Sequence, residues 1–196
     1  MADILVPPGA FDAHCQNPVR MLSFKTLFRI LLVLIVPTLL ALGAIDQPLR
    51  VPGNPHGIVS FEFCGWTGSC EATLQAWGEH GRQWAMLSLG LDYLFMLEYT
   101  GLVWLGLQLL AQRVAQPAVQ QPPNRLLGVL RGSAVLALLA GVFDAAENLC
   151  LIGVVHSGQG APLAGWAAGF ASVKFVMIGV ALIVLLVGWW RVNKQN

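Results

Sequence analysis

Five charged side chains lie inside stretches of the chain that are otherwise almost entirely apolar. They are one lysine and four acids, Asp92, Glu98, Asp144, Glu147 and Lys174. Each charge placed near the centre of a bilayer costs roughly 2.5 to 3.5 kcal/mol, so five unpaired charges would cost on the order of 12 to 17 kcal/mol. That cost exceeds the stability of most domains. These side chains must therefore face the interior of a helical bundle, pair with one another, or hold protons.

The spacing of these groups predicts that most of them meet at one depth. Asp144, Glu147 and Asn148 are spaced i, i+3, i+4, which places them on one face of a helix, and Asp92 and Tyr99, seven residues apart, share a face of another. At 1.5 Å per residue, Asp92 lies roughly 10 Å from the end of its apolar stretch, and Glu147 and the lysine lie roughly 13 Å from the corresponding ends. Glu98 lies deeper and is expected to make a different contact. The predicted ligand-binding residues are Asp92, Glu98, Tyr99, Asp144, Glu147, Asn148 and Lys174.

The charge balance of this cluster restricts its chemistry. Four acids against one lysine leave up to three negative charges, which protons, a cation, a cationic ligand or a partner protein could neutralise, since a lone buried carboxylate is costly. Carboxylates with an amide oxygen suit protons or hard cations. Paired acids also act as general acid and base, here on a lipid-soluble substrate of the isoprenoid or sterol type. The candidate catalytic residues are Asp92, Asp144, Glu147 and Lys174.

Four apolar stretches must position these side chains, and each is long enough to cross a hydrocarbon core of about 30 Å. They are residues 24–45, 85–110, 132–155 and 166–190. Only 11% of the 196 residues are charged and 56% are hydrophobic, whereas about 25% are charged in an ordinary soluble domain. We therefore predict an all-α integral membrane protein, a four-transmembrane-helix bundle over 24–190, with an N-terminal segment 1–23 and a tail 191–196.

Basic residues predict the orientation of the bundle, because they favour the cytoplasmic side. Only Arg50 and Arg82 fall on one side of the predicted bundle, and the remaining basic residues near span ends fall on the other. Both termini are therefore expected in the cytoplasm, with loop 46–84 on the outer face of a cell membrane, the bacterial inner membrane. The alternative that residues up to about 44 form a cleaved signal peptide stays open, because basic residues precede the first apolar run.

The outer loop 46–84 is long enough to carry its own structure. The short apolar run 58–63 is expected to lie on the membrane surface. A helix is predicted to begin at Ser69 and to end before Gly78. Cys70 and Trp77 fall on one face of that helix, which would dock over the bundle either as a lid above the acids or as plain packing.

Two of the four cysteines, Cys64 and Cys70, lie close together in this loop and are predicted to form a disulfide. A redox relay would need a C-x-x-C pair and a second pair to pass on electrons. The chain has no C-x-x-C motif, and Cys150 is most simply a small core residue.

The histidines lie outside the apolar stretches or at a helix edge, at His14, His56, His80 and His156. No zinc or haem site is therefore expected within the bilayer, and no cofactor is predicted. The four-helix plan with intramembrane carboxylates is similar in outline to sterol-isomerase-like membrane proteins. Their sites also use an intramembrane histidine, so no residue role is carried over from them.

Three functions fit the pattern of intramembrane charge. The first is a pocket for a lipid-like or cationic small molecule, with acid and base catalysis on it as an extension. The second is a proton- or cation-coupled carrier, and the third is an accessory subunit in which Lys174 pairs with Asp92, or with Glu147 and Asn148, to fix helix register. The expected partners are membrane lipid, a lipid-like small molecule, and a second copy of the chain or a larger membrane complex, while the net charge of +1 excludes a basic nucleic-acid binder. A cavity of about 300 Å³ or more that reaches the acids from the lipid would favour the first.

Overall fold

The computed structural model describes residues 23–115, 124–160 and 162–194, and helices make up nearly all of this part of the chain. The four long helices and two short ones are α1 Phe24–Asp46, α2 Ile58–Glu62, α3 Cys64–Thr67, α4 Cys70–Val114, α5 Asn124–Ser157 and α6 Leu163–Lys194. A single 3-10 turn, Gln47–Leu49, follows α1. The predictions for residues 1–22, including His14, lie outside the described residues.

The four long helices are each long and apolar enough to cross a membrane, which confirms the all-α, four-span prediction. Their outer surfaces carry large apolar side chains, among them Val33 and Leu40 on α1, which are 70% and 71% exposed. An apolar surface this extensive is unfavourable in water and is covered by lipid in a membrane protein.

Helix α4 is the centre of the bundle, because it packs against α1 on one side and against α5 and α6 on the other. Helices α5 and α6 pack against each other along their length. In contrast, α1 has almost no backbone contact with α6. The bundle is therefore closed around α4, α5 and α6 and open between α1 and α6.

Helix α4 consists of two helical segments that meet at a kink at Gly78, whose backbone is not helical (φ 59°, ψ −161°). Only glycine adopts such a conformation without strain. The predicted short helix from Ser69 to Gly78 is thus confirmed as the first piece of α4. Its buried face packs on Phe61, whose ring lies 4.7 Å from that of Trp77, and the Trp77 indole donates a hydrogen bond of 2.8 Å to the carbonyl of Leu49.

Most of the run 58–63 forms α2, which turns one face into the bundle, and its place on the membrane surface stays a prediction. Phe61 is fully buried and Glu62 is only 9% exposed. The turn is held by Asp46 at the end of α1, whose Oδ1 accepts a hydrogen bond of 2.7 Å from the backbone N–H of Ile58. Gly57 adopts a positive φ of 55° directly over Asp46, where a Cβ atom would collide with the carboxylate. This local arrangement brings Glu62 to the long helices.

Two apolar cores occupy the ends of the bundle, and a layer of polar residues lies between them. One core joins the 47–77 segment to the near ends of α4, α5 and α6. The other, here called the apolar half, lies at the far ends and includes Leu107, Leu110, Leu130, Ala137 and Ala181. The residues between them are here called the polar layer and are Glu62, Asp92, Asp144, Glu147, Asn148 and Lys174.

Candidate functional site

The centre of the polar layer is Lys174 on α6, which is surrounded by carboxylates. Its Nζ atom donates a hydrogen bond of 2.8 Å to Asp144 Oδ1 and lies 2.8 Å from Glu147 Oε2. Glu62 Oε2 is 3.5 Å from the same nitrogen. The predicted convergence of charge from α5 and α6 at one depth is therefore confirmed, with α2 adding a third acid.

Asp144 has partners for both of its carboxylate oxygens. Lys174 binds Oδ1, and the hydroxyl of Tyr99 on α4 donates a hydrogen bond of 2.8 Å to Oδ2. This contact explains why a tyrosine stands in an apolar helix at that depth, since a buried hydroxyl requires a partner. Asp144 thereby connects α4, α5 and α6.

Asp92 does not pair with Lys174, a contact that is expected if the chain is an accessory subunit with a structural polar cluster. Its Oδ2 atom accepts a hydrogen bond of 2.6 Å from the Asn148 amide of α5, and Lys174 pairs with Asp144 and Glu147 instead. Among the described residues, Asp92 has no cationic partner. It is therefore held in place by a neutral amide.

Glu98 lies apart from the polar layer. Thr38 of α1 donates a hydrogen bond of 3.1 Å to its Oε1 atom, and the side chain is 3% exposed. This contact joins α1 to α4 and agrees with the expectation that Glu98 serves a different role from Asp92. Of the predicted ligand-binding residues, Glu98 is the one that the structure does not bring to the cluster.

Glu62 is a member of the polar layer that sequence reasoning missed. The signal was an acid flanked by Phe61 and Phe63 within an apolar run, where a charge needs a buried partner. Burial is the main cause that raises the pKa of Glu62 from 4.5 to about 7, with repulsion from Asp92 and Asp144 adding to it and attraction by Lys174 opposing it.

The single lysine does not satisfy all of the acceptors around it. Glu147 is completely buried, and its Oε1 atom has no hydrogen-bond partner in the described part of the chain. Its Oε2 atom is close to Lys174 but off the direction of a hydrogen bond, so that this contact is an ion pair only. Four acids face one lysine in the layer, which leaves an excess of acceptor oxygens.

A cavity of about 750 Å³ opens beside the polar layer, between α1, α4 and α6. The charged residues on its wall are Asp46, Glu62, Asp92, Asp144 and Lys174. Apolar side chains form the rest of the wall toward the apolar half of the bundle, including Phe28, Leu32, Ile35, Ile178, Leu182 and Leu185. The lining residues of α1 run from Phe28 to Asp46, a distance of about 27 Å at the rise of an α-helix. The cavity is therefore long, with one polar end and one apolar end.

The cavity follows the gap between α1 and α6, and Gly43 of α1 lies on its wall at the polar end. A Cβ atom built on Gly43 would meet no other atom within 4 Å. The volume of the cavity is within the range of roughly 300 to 1,000 Å³ that is typical of small-molecule sites. The cavity also exceeds the 300 Å³ that would favour a lipid ligand.

The cysteines and the metal-ligating residues complete the site's surroundings. The sulfur atoms of Cys64 and Cys70 are at disulfide-bonding distance, as predicted, and Cys150 is a partly buried free thiol. Within residues 23–115, 124–160 and 162–194, no group of three or more histidine, cysteine or carboxylate side chains converges as metal ligands would.

Comparison of the chain with known protein families, with curated proteins and with solved structures finds no match.

Proposed function

We propose that the chain is a multi-pass membrane protein whose cavity binds a lipid-like molecule taken up from the bilayer. The polar head of the molecule would lie against the polar layer, and its apolar tail would follow the wall formed by α1 and α6. The observation that carries the proposal is the cavity of about 750 Å³, polar at one end and apolar at the other.

The shape of the cavity matches an amphiphile better than a compact polar solute. Beyond Tyr99, every lining residue in the direction of the apolar half is apolar, from Leu102 and Val103 on α4 to Leu185 on α6. Small-molecule sites combine apolar walls with a few convergent polar groups in the same way. A lipid tail is the ligand part that gains most from such a wall, because each buried CH₂ group contributes about 0.8 kcal/mol.

The gap between α1 and α6 provides a route from the lipid to the cavity. Because α1 has almost no backbone contact with α6, a tail can pass between α1 and α6 without separating two packed helices. The orientation expected from the basic residues would place the polar layer toward the outer leaflet of a cell membrane, with both termini in the cytoplasm.

Two carboxyl groups on the cavity wall are available for acid and base chemistry on a bound molecule. Asp144 is already bonded through both oxygens, whereas, within the described part of the chain, Asp92 has one oxygen without a hydrogen-bond partner and the Glu62 carboxyl group has none. If the bound molecule reacts, Asp92 and Glu62 are the groups that would exchange protons with it. The apolar walls beyond Tyr99 favour this reading over an ion path through the bundle.

The experiment that tests the proposal is native mass spectrometry of the full chain purified in a mild detergent. We expect a co-purifying lipid-like molecule in the wild type and its loss in Gly43→Trp, which fills the cavity. The matched control is Gly90→Trp, because Gly90 is exposed on α4, has open space around it and is not a lining residue. A bound molecule that survives in Gly43→Trp, or no bound molecule in the wild type, would contradict the proposal.

A further inference from the structure

We infer that the head group bound at the polar end of the cavity is a protonated amine, held by Asp92. The inference rests on the proposed function and narrows its ligand to one chemical class, an amphiphile whose head carries a positive charge and N–H donors. Four features of the described residues support it.

The first feature is the state of Asp92 itself. The residue lines the cavity, its Oδ2 atom is held by Asn148 at 2.6 Å, and no cation of the described residues pairs with it. The nearby Asp144 has Lys174 and Tyr99 as partners. A carboxylate in an apolar setting is costly without a cation. Asp92 is therefore the acid of the cavity wall that an incoming cation would neutralise.

The second feature is that the described residues offer no free cation on the cavity wall to an anionic head group. Lys174 is the lysine of the cavity wall, and its ammonium group already contacts Asp144, Glu147 and Glu62. A phosphate, sulfate or carboxylate head would have to compete with three carboxylates for one ammonium. It would also be repelled by Asp92. An anionic head is disfavoured on both counts.

The third feature is a second acceptor that faces the same space. Glu62 lines the cavity and is only 9% exposed; its Oε2 atom is buried 3.5 Å from Lys174, and its carboxyl group has no hydrogen-bond partner among the described residues. Carboxyl oxygens without a hydrogen-bond donor favour a head group that carries hydrogen-bond donors. An amine with more than one N–H group can serve Asp92 and Glu62 together.

The fourth feature is aromatic. Phe95 and Tyr99 follow Asp92 by one and two turns on α4, with ring centroids 5.3 Å apart, and both line the cavity. Phe175 lines it from α6. The face of an aromatic ring attracts a cation, more strongly where water is excluded. The carboxylate and the aromatic rings thus favour the same charge.

The test compares three probes with the same twelve-carbon chain, namely dodecylamine, dodecanol and dodecanoate, at neutral pH. Their binding to the full chain in a neutral detergent would be measured by native mass spectrometry, below the concentration at which each probe forms micelles. We expect the amine to bind at least tenfold more tightly than the alcohol, and the carboxylate to bind most weakly. In Asp92→Asn, the preference for the amine over the alcohol should fall at least tenfold, with binding of the alcohol unchanged.

The matched control is Glu98→Gln, which removes a buried acid of the same helix that does not line the cavity. It should keep the full preference for the amine. Equal binding of the three probes, or an undiminished amine preference in Asp92→Asn, would overturn the inference while the proposed function stands. If no probe binds, and Gly43→Trp changes nothing, the proposed function fails as well.

Discussion

The polar layer and the apolar half hold the same three helices together by different means. In the apolar half, small residues such as Ala134, Ala137 and Ala181 are almost completely buried and let α4, α5 and α6 approach closely. In the polar layer, the same helices are connected through Lys174 and Asp144 by an ion pair and hydrogen bonds. Close packing of small residues is the usual basis of helix association in membranes.

This difference indicates that the charges are not needed to bring the helices together. The core of the apolar half is built from hydrophobic residues, and buried ion pairs are often no more stabilising than well-packed apolar residues of the same volume. A layer with four acids and one lysine therefore costs stability that the fold does not require. The layer also borders the cavity, which is the basis of the ligand site proposed above.

The largest expected effect is that of Lys174→Met, which removes the cation of the layer. Glu62, Asp144 and Glu147 would be left without their common partner, and the loss of one member of a buried pair costs about 3 to 5 kcal/mol. Reversible unfolding by SDS in mixed micelles would measure the free energy of unfolding.

The matched variant is Glu147→Gln, which removes one of several acids instead. Because the layer has more acceptors than donors, this change should cost no more than about 1 kcal/mol. If the two variants are equally destabilised, the layer is balanced in charge, and the two regions differ less in how they stabilise the bundle.

The next effect concerns the pH dependence of stability and the residue Glu62. Its pKa rises from 4.5 to about 7 in the folded protein, so that between these values the folded state holds a proton which the unfolded state has released. Stability from this group is fully present below about pH 4.5 and is lost as the pH rises through 7. The free energy of unfolding of the wild type, relative to that of Glu62→Gln, should therefore fall by about 3 kcal/mol between pH 4.5 and 8. A difference that stays constant with pH would show that Glu62 is not buried in the layer.

Features that depend on local pattern were predictable from the sequence. The four long apolar helices follow from runs of apolar residues, and the common level of Asp92, Glu147 and Lys174 within the bundle follows from the rise of a helix. The break at Gly78 and the pairing of Cys64 with Cys70 are also short-range features. Each of these was predicted correctly because it needs no knowledge of how the helices pack.

Features that depend on contacts between distant segments were not predictable. Glu62 reaches the layer because Asp46, twelve residues before Ile58, holds the start of α2. Lys174 contacts Asp144 on α5, whereas Asp92 on α4 is bonded to Asn148 instead. The cavity exists because α1 stays apart from α6. Periodicity within one helix contains no information on any of these arrangements.

A smaller effect is expected from removal of the disulfide in the segment that carries Glu62 to the layer. Cys64 and Cys70 are six positions apart. Closing so short a loop stabilises the folded state by about 2 kcal/mol, because the cross-link reduces the conformational entropy of the unfolded chain. The double variant Cys64→Ala, Cys70→Ala should lose that amount in SDS unfolding. Cys150→Ala, which removes a thiol outside this segment, serves as the control. A loss confined to Cys150→Ala would exclude a stabilising role of the disulfide.

The smallest effect is expected from a glycine-to-alanine substitution, made once in the apolar half and once on the cavity wall beside the polar layer. At Gly188 in the apolar half, a Cβ atom would lie 2.8 Å from Leu110 Cδ2 and 3.3 Å from Leu130 Cδ2, and such overpacking costs about 1 to 3 kcal/mol. At Gly43 the Cβ meets nothing within 4 Å, so only the gain in helix propensity of roughly 0.5 to 1 kcal/mol remains. Gly188→Ala should therefore lower the free energy of unfolding, and Gly43→Ala should raise it. Destabilisation by Gly43→Ala as well would mean that α1 closes against α6 in the membrane and that the cavity is filled by the protein itself.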